Sequence, residues 1–217
     1  MAEIFLVRHG QASFGAEDYD RLSALGHRQS AWLAALFVEK GLRFDRALSG
    51  TLRRQRDTLT GLAPALDGVA CTQDARLNEM DYEALLHAML AQTGEQMPHS
   101  REAFIDLMPR LMTAWADGTL PDQPETYSQF EDRVLGCVTD MAKTGERVLL
   151  VTSGGVIGMV LRWMLGLDPA GGTHLMLNVR NASYHQVTFE MGHPRLAQFN
   201  AISHLMGPGR EDALTYV

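Results

Sequence analysis

The chain has 217 residues, 26 acidic against 19 basic, and a formal net charge of −7. That length fits one globular domain with a sizeable core, and 46% hydrophobic with 21% charged residues excludes the disordered and collagen-like classes. The negative balance argues against nucleic acid or an anionic membrane surface as a partner, so any bound anion has to be held by local arginines.

Ile4-Phe5-Leu6-Val7 is a continuous apolar run, the pattern of a strand buried on both faces, and it stops at Arg8-His9-Gly10. After a polar loop, Ser23 is placed to cap a helix carrying Leu33, Leu36 and Phe37, with Gly41 as its stop. Asp45 to Leu48 predicts a second strand ending at Ser49-Gly50, with Thr51 capping a helix to about Leu62. Residues 69–72 predict a weak third strand, followed by a polar stretch containing Asn78-Glu79. From Glu83 to Pro124 the chain is rich in Met and Leu. Phe104, Leu107, Met108, Leu111 and Trp115 mark one helix face with Ser100 as its cap, which predicts a helical insertion at about 83–125.

Ser128 and Glu131 form an expected capping box for a helix with the stripe Phe130, Val134, Cys137, Val138, Met141. Val148 to Val151 is the second buried strand, ending at Thr152-Ser153-Gly154-Gly155 before a helix that stops at Gly166. Two more strands are expected at Tyr184 to Phe189 and Leu196 to Phe199, with Gly192 and Pro194 in the turn between them. Alternating strands and helices predict one α/β domain over 1–217, a three-layer α/β/α sandwich around a mostly parallel mixed sheet with a helical insertion.

Cys71 and Cys137 lie far apart without neighbours at metal-ligand spacing, which reads as two buried thiols and neither a disulfide framework nor a zinc site. The first apolar run is too short for a signal-peptide core and no stretch is long enough to span a bilayer, so a cytoplasmic protein is expected.

In sheets of this kind ligands bind beyond the carboxyl ends of the strands. There the sequence puts Arg8, His9, Gly10 and Gln11, then Ser49 with Arg53 and Arg54, then Glu79, then Ser153 and Gly154. Guanidinium groups grip phosphate oxygens and stay charged at any working pH. The helix after Ser153 aims N–H groups and its dipole at the same anion. A neutral His9 can attack phosphorus if its other ring nitrogen is held as a donor, and Glu79 can protonate a leaving oxygen.

These residues, with Leu22-Ser23-Ala24-Leu25-Gly26 and Gln29, Thr58, Asn200 and Ser203-His204-Leu205, resemble the histidine phosphatase superfamily, the phosphoglycerate mutase-like fold. The resemblance implies that His9 is phosphorylated, that Arg8 and Arg54 bind the phosphate and that Glu79 is the proton donor. Ser153 stands where it implies a second histidine, and the loss of one preorganised donor, worth about 10²–10³ in rate, predicts an enzyme of reduced activity unless another histidine compensates.

The expected function is hydrolysis of a small phosphorylated metabolite through phosphohistidine, with His9 and Glu79 catalytic and Arg8, Gly10, Gln11, Arg54, Ser153 and Gly154 binding substrate, with no metal or other cofactor. Two alternatives are a phosphoglycerate mutase-type phosphotransferase and a non-catalytic module that binds phosphate or a phosphoprotein. The mutase ranks lower because no second anion clamp is legible. The insertion is expected to cover the site, to form a homodimer surface, or both.

Overall fold

The structure, a computed structural model, describes residues 1–13 and 20–216. Residues 14–19 of the expected polar loop lie outside the described residues. Six strands, β1 (Ala2–Arg8), β2 (Arg46–Ser49), β3 (Ala70–Gln73), β4 (Arg147–Thr152), β5 (Tyr184–Glu190) and β6 (His193–Ala201), form one sheet in the order β3-β2-β4-β1-β5-β6. The first four in that order are mutually parallel, and β5 and β6 complete the sheet antiparallel. The two apolar runs are the central strands, fully enclosed from Val148 to Val151.

Alternate residues of a strand face opposite sides, and the two central strands divide accordingly. Ile4, Leu6, Val148 and Leu150 join one core, whereas Phe5, Val7, Leu149 and Val151 join the other. Helices α1 (Ala24–Glu39) and α2 (Arg53–Gly61) cover the second core, where Phe5, Phe37, Phe44 and Tyr184 meet at ring separations of 5.2–6.2 Å. The first core is covered by α5 (Tyr127–Lys143) and α6 (Gly154–Leu165), and α3 (Tyr82–Thr93), α4 (Arg101–Ala116) and α7 (Pro169–Asn178) extend it. This is the expected layered α/β architecture.

Local detail departs from the expectations in five places. Thr51 does not cap α2: the helix begins after Leu52, and its first N–H groups are met by Asp20, whose Oδ2 accepts from Arg53 N at 2.7 Å. The capping box of α5 is Thr126 with Gln129, two residues before the Ser128 and Glu131 pair. Pro194 belongs to β6 rather than the turn, which is tolerated because β6 is an edge strand with no ladder bond to lose on its open side. Cys71 is exposed on β3, the opposite edge, and only Cys137 is a buried thiol. Helix α7 had no predicted counterpart. The caps by Ser23 and Ser100 and the stop at Gly166 are as expected.

Candidate active site

Parallel pairing brings three strand ends to one level. The register sets Arg8 beside Thr152 and Ser49 beside Val151. Beyond the last ladder positions, His9 N donates to Thr152 O (2.8 Å) and Gly50 N to Val151 O (3.1 Å). The segment after β3 is fastened to the same edge through the Leu77 carbonyl, which accepts from Thr152 Oγ1 (2.6 Å) and Gln55 Nε2 (3.1 Å), and so brings in Asn78 and Glu79. The chain leaves β1 against the first turn of α1, so tightly that a Cβ on Gly10 would sit 2.5 Å from the Gly26 carbonyl oxygen. Only glycine allows that approach.

His9 is buried, and its tautomer follows from its neighbours. Nδ1 lies 2.7 Å from the Gly10 carbonyl, which can only accept, so Nδ1 carries the proton. Arg54 Nε donates to Nε2 at 3.2 Å, which requires a lone pair there. Burial, then the charges of Arg54 and Arg8, hold the imidazole pKa well below 6.5, and the Gly10 bond opposes them without reversing the sign. His9 is therefore a neutral imidazole with a lone pair on Nε2 at ordinary working pH.

One arginine bonds this ring and a second adds its charge. Arg54, in the first turn of α2, is fixed by Asp20 Oδ1 on Nη1 at 2.7 Å while its Nε faces His9. Arg8 is anchored through Nη1 to the Val179 carbonyl, and its guanidinium passes the start of α6, where a Cβ on Gly154 would lie 3.8 Å from it. Glu79 spans to the same helix start: Oε2 accepts from Gly155 N at 2.9 Å, and Oε1 from Met80 N at 3.2 Å. A Cβ on Gly155 would fall 2.2 Å from Glu79 Oε1, which explains the second glycine of the pair. Gly10 donates its N–H to Thr58 Oγ1 (3.0 Å), and Gln11 is engaged by Gln29 through its N–H and by Ser23 through its side chain.

Ser153 does something different from what its place suggests. Its hydroxyl makes no capping bond to α6 and accepts from Gln55 Nε2 at 2.8 Å, both side chains being fully enclosed. Arg53, the other basic residue of this turn, lies on the solvent side and pairs with Asp57 at 3.6 Å. Among the histidines available to stand in for the absent one, His185 lies close enough to Arg8 to feel its charge, but both its ring nitrogens are occupied, by Asn200 N and Ser183 Oγ. Sequence reasoning missed Asp20, Gln55 and Asn181, whose Nδ2 donates to the His9 carbonyl at 3.3 Å. Each acts across a long stretch of chain and carries no local signature.

Fold and geometry together define an α/β protein with a histidine-centred, arginine-lined site at the carboxyl edge of its sheet. The family model for the histidine phosphatase superfamily (branch 1) matches residues 4–202, and the chain belongs to that superfamily. Among curated relatives, a "Probable phosphoglycerate mutase GpmB" of Klebsiella pneumoniae is 27% identical over 226 residues, covering 98% of this chain and 99% of that protein. Among solved structures, phosphoserine phosphatase from Entamoeba histolytica in complex with 3-phosphoglyceric acid superposes with a TM-score of 0.68 at 21% identity, over 95% of this chain and 100% of the other. The mycobacterial glucosyl-3-phosphoglycerate phosphatase does so with a TM-score of 0.64 at 24% identity, over 92% and 98%. These structural likenesses concern the fold. Among the described residues no helix is long and apolar enough to cross a membrane.

Proposed function

We propose that the protein hydrolyses a small phosphomonoester through a phosphohistidine on His9, without a metal. The observation that carries this reading is the tautomer: Nδ1 is committed to the Gly10 carbonyl, leaving the Nε2 lone pair beside Arg54 and in the field of Arg8. Nε2 attacks phosphorus as the P–O bond to the alcohol breaks, Glu79 in its protonated form gives the leaving oxygen its proton, and water then cleaves the P–N bond with Glu79 taking a proton back. Arg8 and Arg54 balance the phosphoryl charge, and the N–H group of Gly154 with the dipole of α6 supports them at the helix start. Arg54 Nε leaves Nε2 for a phosphoryl oxygen as substrate enters. The names of the relatives and the fold neighbours fit this chemistry, since phosphatases and mutases both use a transferable phosphoryl group. The insertion with α3 and α4 would cover the site.

The test is hydrolysis of p-nitrophenyl phosphate between about pH 5 and 8 beside a His9→Ala variant, with trapping of an acid-labile phosphoenzyme. Turnover and labelling are expected in the wild type and in neither assay of the variant. Binding of phosphate or vanadate without turnover or labelling would replace this reading with a phosphate-binding module. Labelling discharged to a second hydroxyl in preference to water would identify a phosphotransferase.

A further inference from the structure

The stretch from Val179 to Ser183 wraps around Arg8 and His9, and nearly every residue in it is spent on them. Val179 O accepts from Arg8 Nη1, Asn181 Nδ2 and Ala182 N donate to His9 O at 3.3 and 3.2 Å, and Ser183 O accepts from Arg8 N at 3.1 Å. Arg180 is the exception. Its backbone is fixed by Asn200 Oδ1 on its N–H (2.9 Å) and by Ser183 Oγ on its carbonyl (2.8 Å). Its guanidinium has no carboxylate partner among the described residues and rests on the ring of Tyr216, 3.9 Å from the centroid.

Tyr216 is itself held in place. Gln29 Nε2 donates to Ala213 O (2.8 Å) and Thr215 Oγ1 (2.9 Å), Asn181 N donates to Thr215 O (2.9 Å), and Thr215 Oγ1 donates to Asn181 Oδ1 (3.0 Å). The same Gln29 and Asn181 hold Gln11 N and His9 O, so residues 213–216 are braced against the catalytic loop. The Tyr216 ring also carries Arg101, the first residue of α4, at 3.8 Å. A stacked guanidinium uses its face for the ring and keeps its N–H edge for acceptors in its own plane.

We infer that Arg180, presented by Tyr216, is a specificity-determining residue that grips a second acidic group on the organic part of the phosphorylated substrate. The inference rests on the proposed phosphoryl chemistry for the role of the site, but its test reads binding and does not depend on turnover. Arg180 follows directly on the residue that anchors Arg8, and its side chain is the one cation of the 179–183 stretch. Tyr216 is a positioning residue: it fixes the plane of Arg180 and ties it to α4.

The measurement is calorimetric titration with 3-phosphoglycerate and with glycerol 3-phosphate, which differ in a carboxylate against a hydroxymethyl group, on the wild type and on Arg180→Met, Tyr216→Ala and Tyr216→Phe. The wild type is expected to bind 3-phosphoglycerate about tenfold or more tightly than glycerol 3-phosphate, the worth of a charge-assisted hydrogen bond. Arg180→Met and Tyr216→Ala should bring that ratio close to one, and Tyr216→Phe should keep it. A general disturbance of the fold would weaken both ligands together and leave the ratio unchanged. A wild-type ratio near one, or a ratio that survives Arg180→Met, overturns the inference. Retained discrimination in a protein that neither hydrolyses p-nitrophenyl phosphate nor forms the phosphoenzyme would leave the clamp standing and remove the phosphatase reading.

Discussion

Ser153 and Gln55 form a closed pair, each enclosed, with the two Nε2 hydrogens of Gln55 divided between Ser153 Oγ and Leu77 O. Removing one partner of such a pair strands a buried donor, at a cost of about 1–3 kcal/mol, whereas removing both together is close to neutral. Ser153→Ala is therefore expected to lower unfolding stability by that amount, Gln55→Leu by a similar amount, and the double variant by clearly less than their sum, as read from urea unfolding in a double-mutant cycle. Strict additivity would dissolve the pair as a unit. The Ser153 hydroxyl retains one hydrogen to donate, which is what its proposed part in substrate binding needs. At this scale the sequence made Arg8, His9, Arg54 and Glu79 legible because each follows a strand end or opens a helix. Their partners were not legible: Asp20 reaches Arg54 across 34 positions and Gln55 reaches Ser153 across 98, and no local pattern marks either side chain for that contact.

The elements that position the site follow from chain patterning where burial is one-sided or complete, and fail to follow where tertiary contacts replace local ones. β1 and β4 announced themselves because both faces of each strand are covered. α2 looked as if Thr51 capped it, but a distant carboxylate took that office, and α7 went unassigned because Pro169, Gly171 and Gly172 are poor helix formers. In α7 those glycines let other groups approach: a Cβ on Gly172 would lie 2.9 Å from the Arg162 side chain. The start of α6 gives a sharper case. Replacing a helical glycine by alanine favours the helix by up to about 1 kcal/mol, yet a Cβ on Gly155 would stand 2.2 Å from Glu79 Oε1. The carboxylate, at the end of a flexible side chain, has to give way. With Met80 Cε also in the way at 2.5 Å, Gly155→Ala is expected to lower turnover of p-nitrophenyl phosphate by about 10²-fold or more, the usual yield of a positioned general acid, in a protein that still unfolds cooperatively on heating. Unchanged turnover would mean that Glu79 works from some other position than this one.

Across the whole molecule the acid response should come first from imidazoles. His9, His185 and His204 are all buried, and burial is the largest cause of depression in each. His185 is brought to about 3 with Arg8 adding to the effect, His204 to about 4 with Arg210 adding, and His9 well below 6.5. Unfolded, each returns to about 6.5. Below that value the unfolded chain takes up protons that the folded chain refuses, so stability is full above about pH 6.5 and falls as the pH drops toward the folded values. Between pH 7.5 and 5.5 His185 and His204 each account for about 1.4 kcal/mol, together about 3 kcal/mol, and His9 acts in the same direction. The depressed carboxylates Asp74 and Asp140 do not enter this window, because their ordinary value of 3.8 lies beneath it and their folded values are lower still. Urea unfolding at the two pH values, in a buffer free of phosphate, should show a drop of at least that size in the wild type and one smaller by about 1.4 kcal/mol in His185→Gln. A stability that is flat from pH 7.5 to 5.5 would mean that the three rings accept protons in place, and that the neutral His9 on which phosphoryl capture depends is not held neutral by the fold.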